Sequence, residues 1–396
     1  MTSNWKKYSI GELCRSVSET YKGNDSFVIL VNTSDVLEGK ILNHQEVHNS
    51  NLKGQFKKTF KKNDILYSEI RPANRRYAFV DIDDTHAYIA STKLMVLRAN
   101  TTLVVPKFLY YLLTNNELIL ELQRLAETRS GTFPQITFTT ELSPIEILIP
   151  PINIQNKIVT LLSSLDKMID TLATENNILE EQLAAIFKES FGNKIVEAST
   201  PLERIINVVD NRGKTPPLVD NKSDYPIIDV GALKGDGRII DYDQCTKYVD
   251  EATYNNFFRS GHQRPNDILI STVGTLAELK IVTRDIGCIA QNVVALRATH
   301  VSFYYLYQYL KYIKQDLVSY NIGSVQPSIK VTHIIKHLIY VPEKEAMDSF
   351  HLIAKCITSK IENNFYQSKK AKLIKDNLLP ELIRGTIDLS NIDGGF

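Results

Sequence analysis

Phosphodiester cleavage is the first chemistry that the residues of this chain could perform. Pro265, Asp267, Glu278 and Lys280 follow a P-x-D…E-x-K order, in which two carboxylates can hold Mg²⁺ beside a lysine. A similar stretch nearer the N-terminus keeps Asp64 but carries Arg71, Asn74, Arg75 and Arg76 in place of the glutamate and lysine. Asn266-Asp267 also reads as a turn into a strand, which gives the aspartate a structural use. Arg212-Gly213-Lys214-Thr215 has the residues of a phosphate-binding loop. Yet Val208 stands where that motif needs glycine, and Pro216-Pro217 blocks the helix that should follow. His333 and His337 could share a metal on a helix. Beside the β-rich Leu338-Ile339-Tyr340-Val341 they lie too far apart for one ion without further ligands. Asn-Pro-Pro-Phe/Tyr, GxSxG and a glycine-rich cofactor turn are missing, so methyl transfer, hydrolysis and dinucleotide binding have no visible seat.

Binding is the chemistry left. Lys53, Lys57, Lys58, Lys61, Lys62, Arg71, Arg75 and Arg76 crowd one stretch, opposed only by Asp64 and Glu69. The whole chain of 396 residues has a net charge of only +1, so any grip on phosphates must come from such local clusters. Hydrophobic content of 43% and charged content of 23% suit a soluble globular protein, and no apolar run is long enough to span a bilayer. The N-terminal Met1-Thr2-Ser3-Asn4-Trp5-Lys6-Lys7 lacks the apolar core of a signal peptide. Cys14, Cys245, Cys288 and Cys356 lie far apart with no CxxC pair, which argues against a zinc ribbon and fits a reducing cytoplasm. A cytoplasmic protein is expected.

The elements that must position these residues are written twice. Asn63-Asp64-Ile65-Leu66 returns as Asn266-Asp267-Ile268-Leu269, and Leu97-Arg98-Ala99 as Leu296-Arg297-Ala298. Pro134-Gln135-Ile136 is echoed by Pro327-Ser328-Ile329, and Ile149-Pro150 by Val341-Pro342. In each copy short β-type runs precede a leucine-rich helix, which Pro106 opens in the first copy and Leu306, Leu310, Ile313 and Leu317 mark in the second. A polar loop and an apolar exit strand follow. Two like units in one chain suit a twofold target such as duplex DNA.

Each unit is followed by a segment of another character. From Ile152 to Phe191 there is neither glycine nor proline, and Ile158, Leu161, Leu165, Ile169 and Leu172 line one helical face up to a stop at Gly192. Phe350, Ile353, Ile357 and Ile361 repeat Ile158, Leu161, Leu165 and Ile169 at one constant offset. The economical arrangement is an antiparallel coiled-coil rod. The expected architecture is α/β (α+β) and pseudo-twofold, with globular domains at 1–151 and 193–342, spacer helices at 152–192 and 343–386, and a tail at 387–396.

Several stretches, taken together and in order, resemble the specificity subunit of type I restriction–modification systems. Trp5-Lys6-Lys7-Tyr8-Ser9-Ile10-Gly11-Glu12-Leu13 is similar to the usual entry of its first target recognition domain. The run from Pro150 to Asp166 resembles the start of its central spacer helix, and Leu378-Leu379-Pro380-Glu381-Leu382-Ile383-Arg384-Gly385 the end of its distal one. Asp210-Asn211-Arg212-Gly213-Lys214-Thr215-Pro216, Asn266-Asp267-Ile268-Leu269-Ile270-Ser271 and Gly323-Ser324-Val325-Gln326-Pro327 resemble signposts inside the recognition domains.

The resemblance implies two recognition domains, each reading half of a bipartite asymmetric DNA sequence, and a helical rod that fixes the unread gap. It also implies docking of two methyltransferase subunits and association with endonuclease/translocase subunits. The chain itself would be non-catalytic, with S-adenosylmethionine, ATP and Mg²⁺ belonging to its partners. Groove reading asks for basic and polar side chains on loops. The candidates are Lys57, Lys58, Lys61, Lys62, Arg71, Arg75, Arg76, Arg129, Thr132 and Gln135 in the first unit. In the second they are Arg212, Lys214, Thr215, Lys234, Arg238, Ser271, Thr275, Ser324 and Gln326. Two other readings stand beside this one: a duplicated coiled-coil scaffold that binds proteins, and a metal-dependent nuclease using Asp267, Glu278 and Lys280.

Overall fold

A computed structural model of the chain describes residues 4–51, 54–128, 134–235, 237–323, 325–387 and 389. It divides into two compact units, Met1–Met168 with Ala371–Phe396, and Ile169–Lys370.

In the first unit Leu94–Ala99 is the centre of a four-stranded antiparallel sheet, flanked by Cys14–Val17 and Ile65–Ser68, with Tyr77–Phe79 at the far edge. The run Leu94-Met95-Val96-Leu97 is buried throughout, because both faces of the sheet are covered. Met95, Leu97, Ile65 and Tyr67 point into one core, shared with the helices Pro106–Leu113 and Asn116–Thr128. Leu94, Val96 and Leu66, one residue out of phase, point into a second core with Val31, Phe60 and Ala90. That second core lies under another sheet, in which Phe27–Val31 and Tyr88–Ser91 run parallel.

The second unit repeats the plan. Val293–Ala298 sits between Ile206–Val209 and Ile268–Ser271, with Leu279–Ile281 at the edge. Ile268, Ile270, Val294 and Leu296 face one core, and Leu269, Val293 and Ala295 the other. Tyr225–Ile228 and Cys288–Ile289 supply the parallel pair.

The leucine-rich stretch after Pro106, expected as one helix, is two. Asn115 breaks it: its Nδ2 donates to Leu112 O at 2.6 Å and its Oδ1 accepts from Leu118 N–H at 3.0 Å, closing one helix and opening the next. The second unit has the same break, between Phe303–Tyr312 and Lys314–Ser319.

Two long helices, Ile152–Phe191 and Lys344–Arg384, each contribute to both units. Gln155, fully buried, ties the start of the first to the sheet domain by donating to Leu103 O and Pro150 O and accepting from Val105 N–H. In the first unit Ile158 and Leu162 share a core with Leu379 and Leu382, and Asp166 accepts from Lys375. In the second, Leu183 and Phe187 meet Phe350 and Ala354, and Asn176 bonds Ile361 O and Asn364. Within each unit, then, the two helical segments run antiparallel. Of the expected stripe Ile158, Leu172, Phe350 and Ile361 are buried, and Leu161, Leu165, Ile169 and Ile357 half-buried. Ile353 departs from expectation at 43% exposed. The buried line passes through Met347, Phe350, Ala354 and Thr358, at 3-and-4 spacing, which rotates Ile353 off the contact. No helix is long and apolar enough to cross a membrane among the described residues.

Candidate nucleic-acid interface

Each repeated Asn-Asp-Ile-Leu is a turn that delivers the chain into a core strand. Asn63 and Asn266 adopt left-handed backbone angles, φ +71° and +76°, which asparagine tolerates better than branched residues. The next residue, Asp64 or Asp267, accepts the N–H of Lys61 or Arg264 at 2.9 Å. Each aspartate also takes a two-pronged bond from the repeated arginine. Arg98 reaches Asp64 at 2.8 Å on both oxygens, and Arg297 reaches Asp267 at 2.8 and 2.7 Å. The arginine side chains of Leu97-Arg98-Ala99 and Leu296-Arg297-Ala298 are therefore the partners of these aspartates, a pairing that the spacing alone did not reveal.

That geometry removes the nuclease reading. Asp267 is 1% exposed and fully engaged, Lys280 donates to the carbonyls of Gly235 and Gly237, and Glu278 pairs with Lys314 at 3.0 Å. Among the described residues no group of His, Cys, Asp and Glu could hold a metal. His333 lies in the helix Val331–Lys336 and His337 caps it, with Nδ1 against Tyr320 Oη at 2.8 Å. Cys14, Cys245 and Cys288 are buried thiols, each pushed up to about 12 by burial, and Cys356 is exposed.

What the sheets carry at their ends is a set of loops tied to one another. In the first unit Ile70 bridges Gln135, Arg71 N–H donates to Pro134 O, and Ile136 N–H to Glu69 O. Glu69 N–H in turn bonds Lys93 O. The basic stretch divides in two. Lys57, Lys61 and Arg71 are exposed. Lys62 is exposed but paired with Asp83. Lys58 holds Thr92 O and Leu94 O at 2.9 and 2.8 Å, and burial lowers its pKa. Arg76 holds Ser34 O, and Arg75 reaches Asn116 Oδ1 at 2.7 Å. These three cations brace the loops.

The second unit uses the same knot. Val273 bridges Ser328, Gly274 N–H donates to Pro327 O, Ile329 N–H to Thr272 O, and Thr272 N–H to Asn292 O. Gln291 Nε2 donates to Thr215 Oγ1 at 2.7 Å and draws the 212–215 loop in. Lys214, Thr215, Thr275 and Gln326 are exposed there, and Lys234 is exposed elsewhere on the unit. Ser271 is fully buried: its Oγ donates to Thr275 O and accepts from Glu278 N–H, so it shapes the loop from beneath. Arg212 clasps Asp210 at 2.8 and 2.7 Å. Burial would raise that carboxyl, but the bonds and charge of Arg212 bring it below its ordinary value. Lys93, Gln291 and Asn292 are loop residues that the sequence reading passed over. Their signal was their place just before the repeated strands Leu94–Ala99 and Val293–Ala298.

Arg238 corrects a sequence expectation. Its side chain is 0% exposed and bonded to Glu180, Thr358 and Gln308, so it is closed off from solvent and from any DNA. Lys53, Arg129, Thr132 and Ser324 fall outside the described residues.

The profile described as type I restriction modification DNA specificity domain matches residues 2–181 and again 200–375. Over 191 residues the chain is 45% identical to the type I restriction enzyme HindI specificity subunit of Haemophilus influenzae, covering 48% of this chain and 41% of that one. It therefore spans about two-fifths of that relative. With the type I restriction enzyme MjaIX specificity subunit of Methanocaldococcus jannaschii it shares 23% identity over 312 residues, 73% of this chain and 71% of the other. The solved type I restriction–modification S subunit from M. genitalium superposes with a TM-score of 0.55 at 18% identity, covering 96% of each chain, a likeness of fold.

Proposed function

Because the chain belongs to the type I restriction modification DNA specificity family, we propose that it is the non-catalytic subunit that selects the DNA sequence for a type I complex. Each α+β unit reads one half of a bipartite, asymmetric duplex target. The observation that carries this reading is the repeated loop knot. In each unit two separate stretches of chain close the corresponding end of the corresponding sheet with the same bridge, Ile70 to Gln135 in one and Val273 to Ser328 in the other. A shared frame with different side chains on it suits two readers of two different half-sites. Lys57, Lys61 and Arg71 on one, and Lys214, Thr215, Thr275 and Gln326 on the other, are groups that grip phosphates and address base edges.

The long helices act as a ruler for the unread gap and as the dock for two methyltransferase subunits, with endonuclease/translocase subunits joining that core. S-adenosylmethionine, ATP and Mg²⁺ act in those partners, within the cytoplasm. With a net charge of +1 the isolated chain should hold DNA weakly and in a salt-sensitive way, and tightly once methyltransferase subunits are added. Sequencing the methylome of cells that express the chain with candidate partners tests the proposal. A two-part motif with one constant gap is the expected result. Methylation that does not depend on this chain, or a one-part motif, overturns it, and a protein-binding scaffold would produce no motif at all.

A further inference from the structure

We propose that Arg238 is a positioning residue that seats the second reading unit on the long helices and so fixes the register in which its half-site is read. The inference rests on the proposed function for its consequence, though not for the seat itself. Arg238 lies beside the edge strand Leu279–Ile281, and its carbonyl accepts Ile281 N–H at 2.7 Å. Its guanidinium is turned toward the two long helices, with Gln308 of the helix Phe303–Tyr312 beside it at 3.5 Å. Nε and Nη2 grip the two oxygens of Glu180 at 2.8 and 2.7 Å, and Nη1 donates to Thr358 Oγ1 at 2.8 Å. Glu180 belongs to one long helix and Thr358 to the other. One side chain therefore spans both helices and carries an edge of the sheet on its backbone. Lys311 donates to Glu180 as well, at 3.0 Å, and the ring of Tyr307 lies 5.0 Å from the guanidinium carbon.

The first unit shows that this spot is a seat and not an accident of packing. There Gly39 takes the place of Arg238, its carbonyl accepting Phe79 N–H from the matching edge strand. Gly39 has φ +102°, and a Cβ on it would meet Tyr110 Oη at 2.4 Å, so no side chain can reach the helices from that position. Its neighbour Glu38 does so instead, with Lys372 Nζ at 3.6 Å. At the constant offset that relates the two heptad runs, Lys372 is the counterpart of Glu180. The same helix position is used in both units with the charges exchanged. The seats differ in strength: the side chains of Glu38 and Lys372 are 46% and 56% exposed, whereas those of Arg238 and Glu180 are 0% and 10% exposed. An exposed pair contributes little, and a buried one locks geometry because neither charge can be left alone.

Two further ties reinforce the second seat. Lys369 reaches Asp241 and Asp243, and Tyr366 stacks under Arg284 at 4.0 Å. A displacement of the reading unit of about 1 Å is enough to spoil base contacts in the way it spoils catalytic ones.

The test removes both buried charges together, as Arg238→Met with Glu180→Gln, in the full chain and in its complex with methyltransferase subunits. Hydrogen exchange is read first. Exchange of the Ile281 amide should rise about tenfold while the core-strand amides of Leu269 and Ala295 keep their protection. Methylation is read second, on duplexes whose gap is one base pair too long or too short. The variant should accept these about tenfold better than the unaltered chain, with base preference in the first half-site unchanged. The Glu38→Gln, Lys372→Met control should move either readout less than about threefold. Should the double variant fail to fold, Thr358→Val keeps the charge pair and should give the same changes at about two- to threefold. Unchanged exchange in a folded variant overturns the seat, and unchanged gap discrimination overturns its role in reading. Absence of any bipartite preference in the unaltered complex counts against the proposed function, while the exchange result still decides the seat.

Discussion

Buried charge in this protein is structural wherever its partners can be seen. Asp64 and Asp267 each satisfy one backbone N–H and one arginine fork, and both are about 1% exposed. Replacing Asp267 with asparagine keeps the shape but strands Arg297, whose side chain keeps 29% exposure. The expected cost is about 2–3 kcal/mol in urea unfolding, at the low side for a broken buried pair. Added Mg²⁺ should leave the melting temperature of both proteins unchanged, whereas a nuclease site would shift it. Glu180 makes a prediction in pH. Burial raises its pKa, but the bonds and charge of Arg238, with help from Lys311, outweigh that and hold it below the ordinary value of a glutamate. A depressed folded value contributes stability that is present above the unfolded value and lost as pH falls through the folded one. Unfolding midpoints of the unaltered chain should thus drop more steeply than those of Glu180→Gln between about pH 5 and pH 3. Equal slopes would mean that Glu180 is not held in its ionised form. At this scale the sequence was only partly legible. Asp267 stood out for its company with Glu278 and Lys280, yet its partner, Arg297, is thirty residues away in sequence and visible only once Ile268–Ser271 and Val293–Ala298 lie side by side.

Among the elements, the strand entered through Asn63 or Asn266 is the piece that the repeat preserves most closely. Its left-handed turn explains why asparagine, and not any polar residue, precedes the aspartate. Asn266→Gly should be near neutral, and Asn266→Val should cost about 1–3 kcal/mol because a branched side chain is strained at φ +76°. Equal unfolding midpoints for the two variants would refute that account. The strands themselves were readable as apolar runs, and the split of each run between two cores followed from their period of two. The break at Asn115 was not readable. Periodicity continues across it, and only the two side-chain bonds of Asn115 show where one helix stops. The stripe on the second long helix was read almost correctly. Ile353 was assigned to it by spacing, but a straight α-helix drifts against a strict heptad, and Ala354 takes the buried place.

For the molecule as a whole, each of the two long helices contributes residues to both units, and the proposed function makes them the ruler for the unread gap. Inserting four residues after Ala173 and four after Phe365 adds about one turn, roughly 6 Å, to each helix. The methylome should then show a gap longer by about two base pairs, at 3.4 Å each, with both half-sites unchanged. Altered half-site bases would count against the proposed spacing role of the helices.

Duplication and the two heptad runs were determined by sequence alone, since each is a matter of order and period along one chain. Local pattern is all that such features need. The tertiary structure decided which charged residues face outward and which are braces. Lys58, Arg76 and Arg238 look like Lys57, Arg71 and Lys214 in any composition, and they differ only in what the fold brings against them. Burial and partnership are long-range properties, set when distant strands and helices meet. The pairing of Arg238 with Glu180, across 58 positions, could be known in no other way.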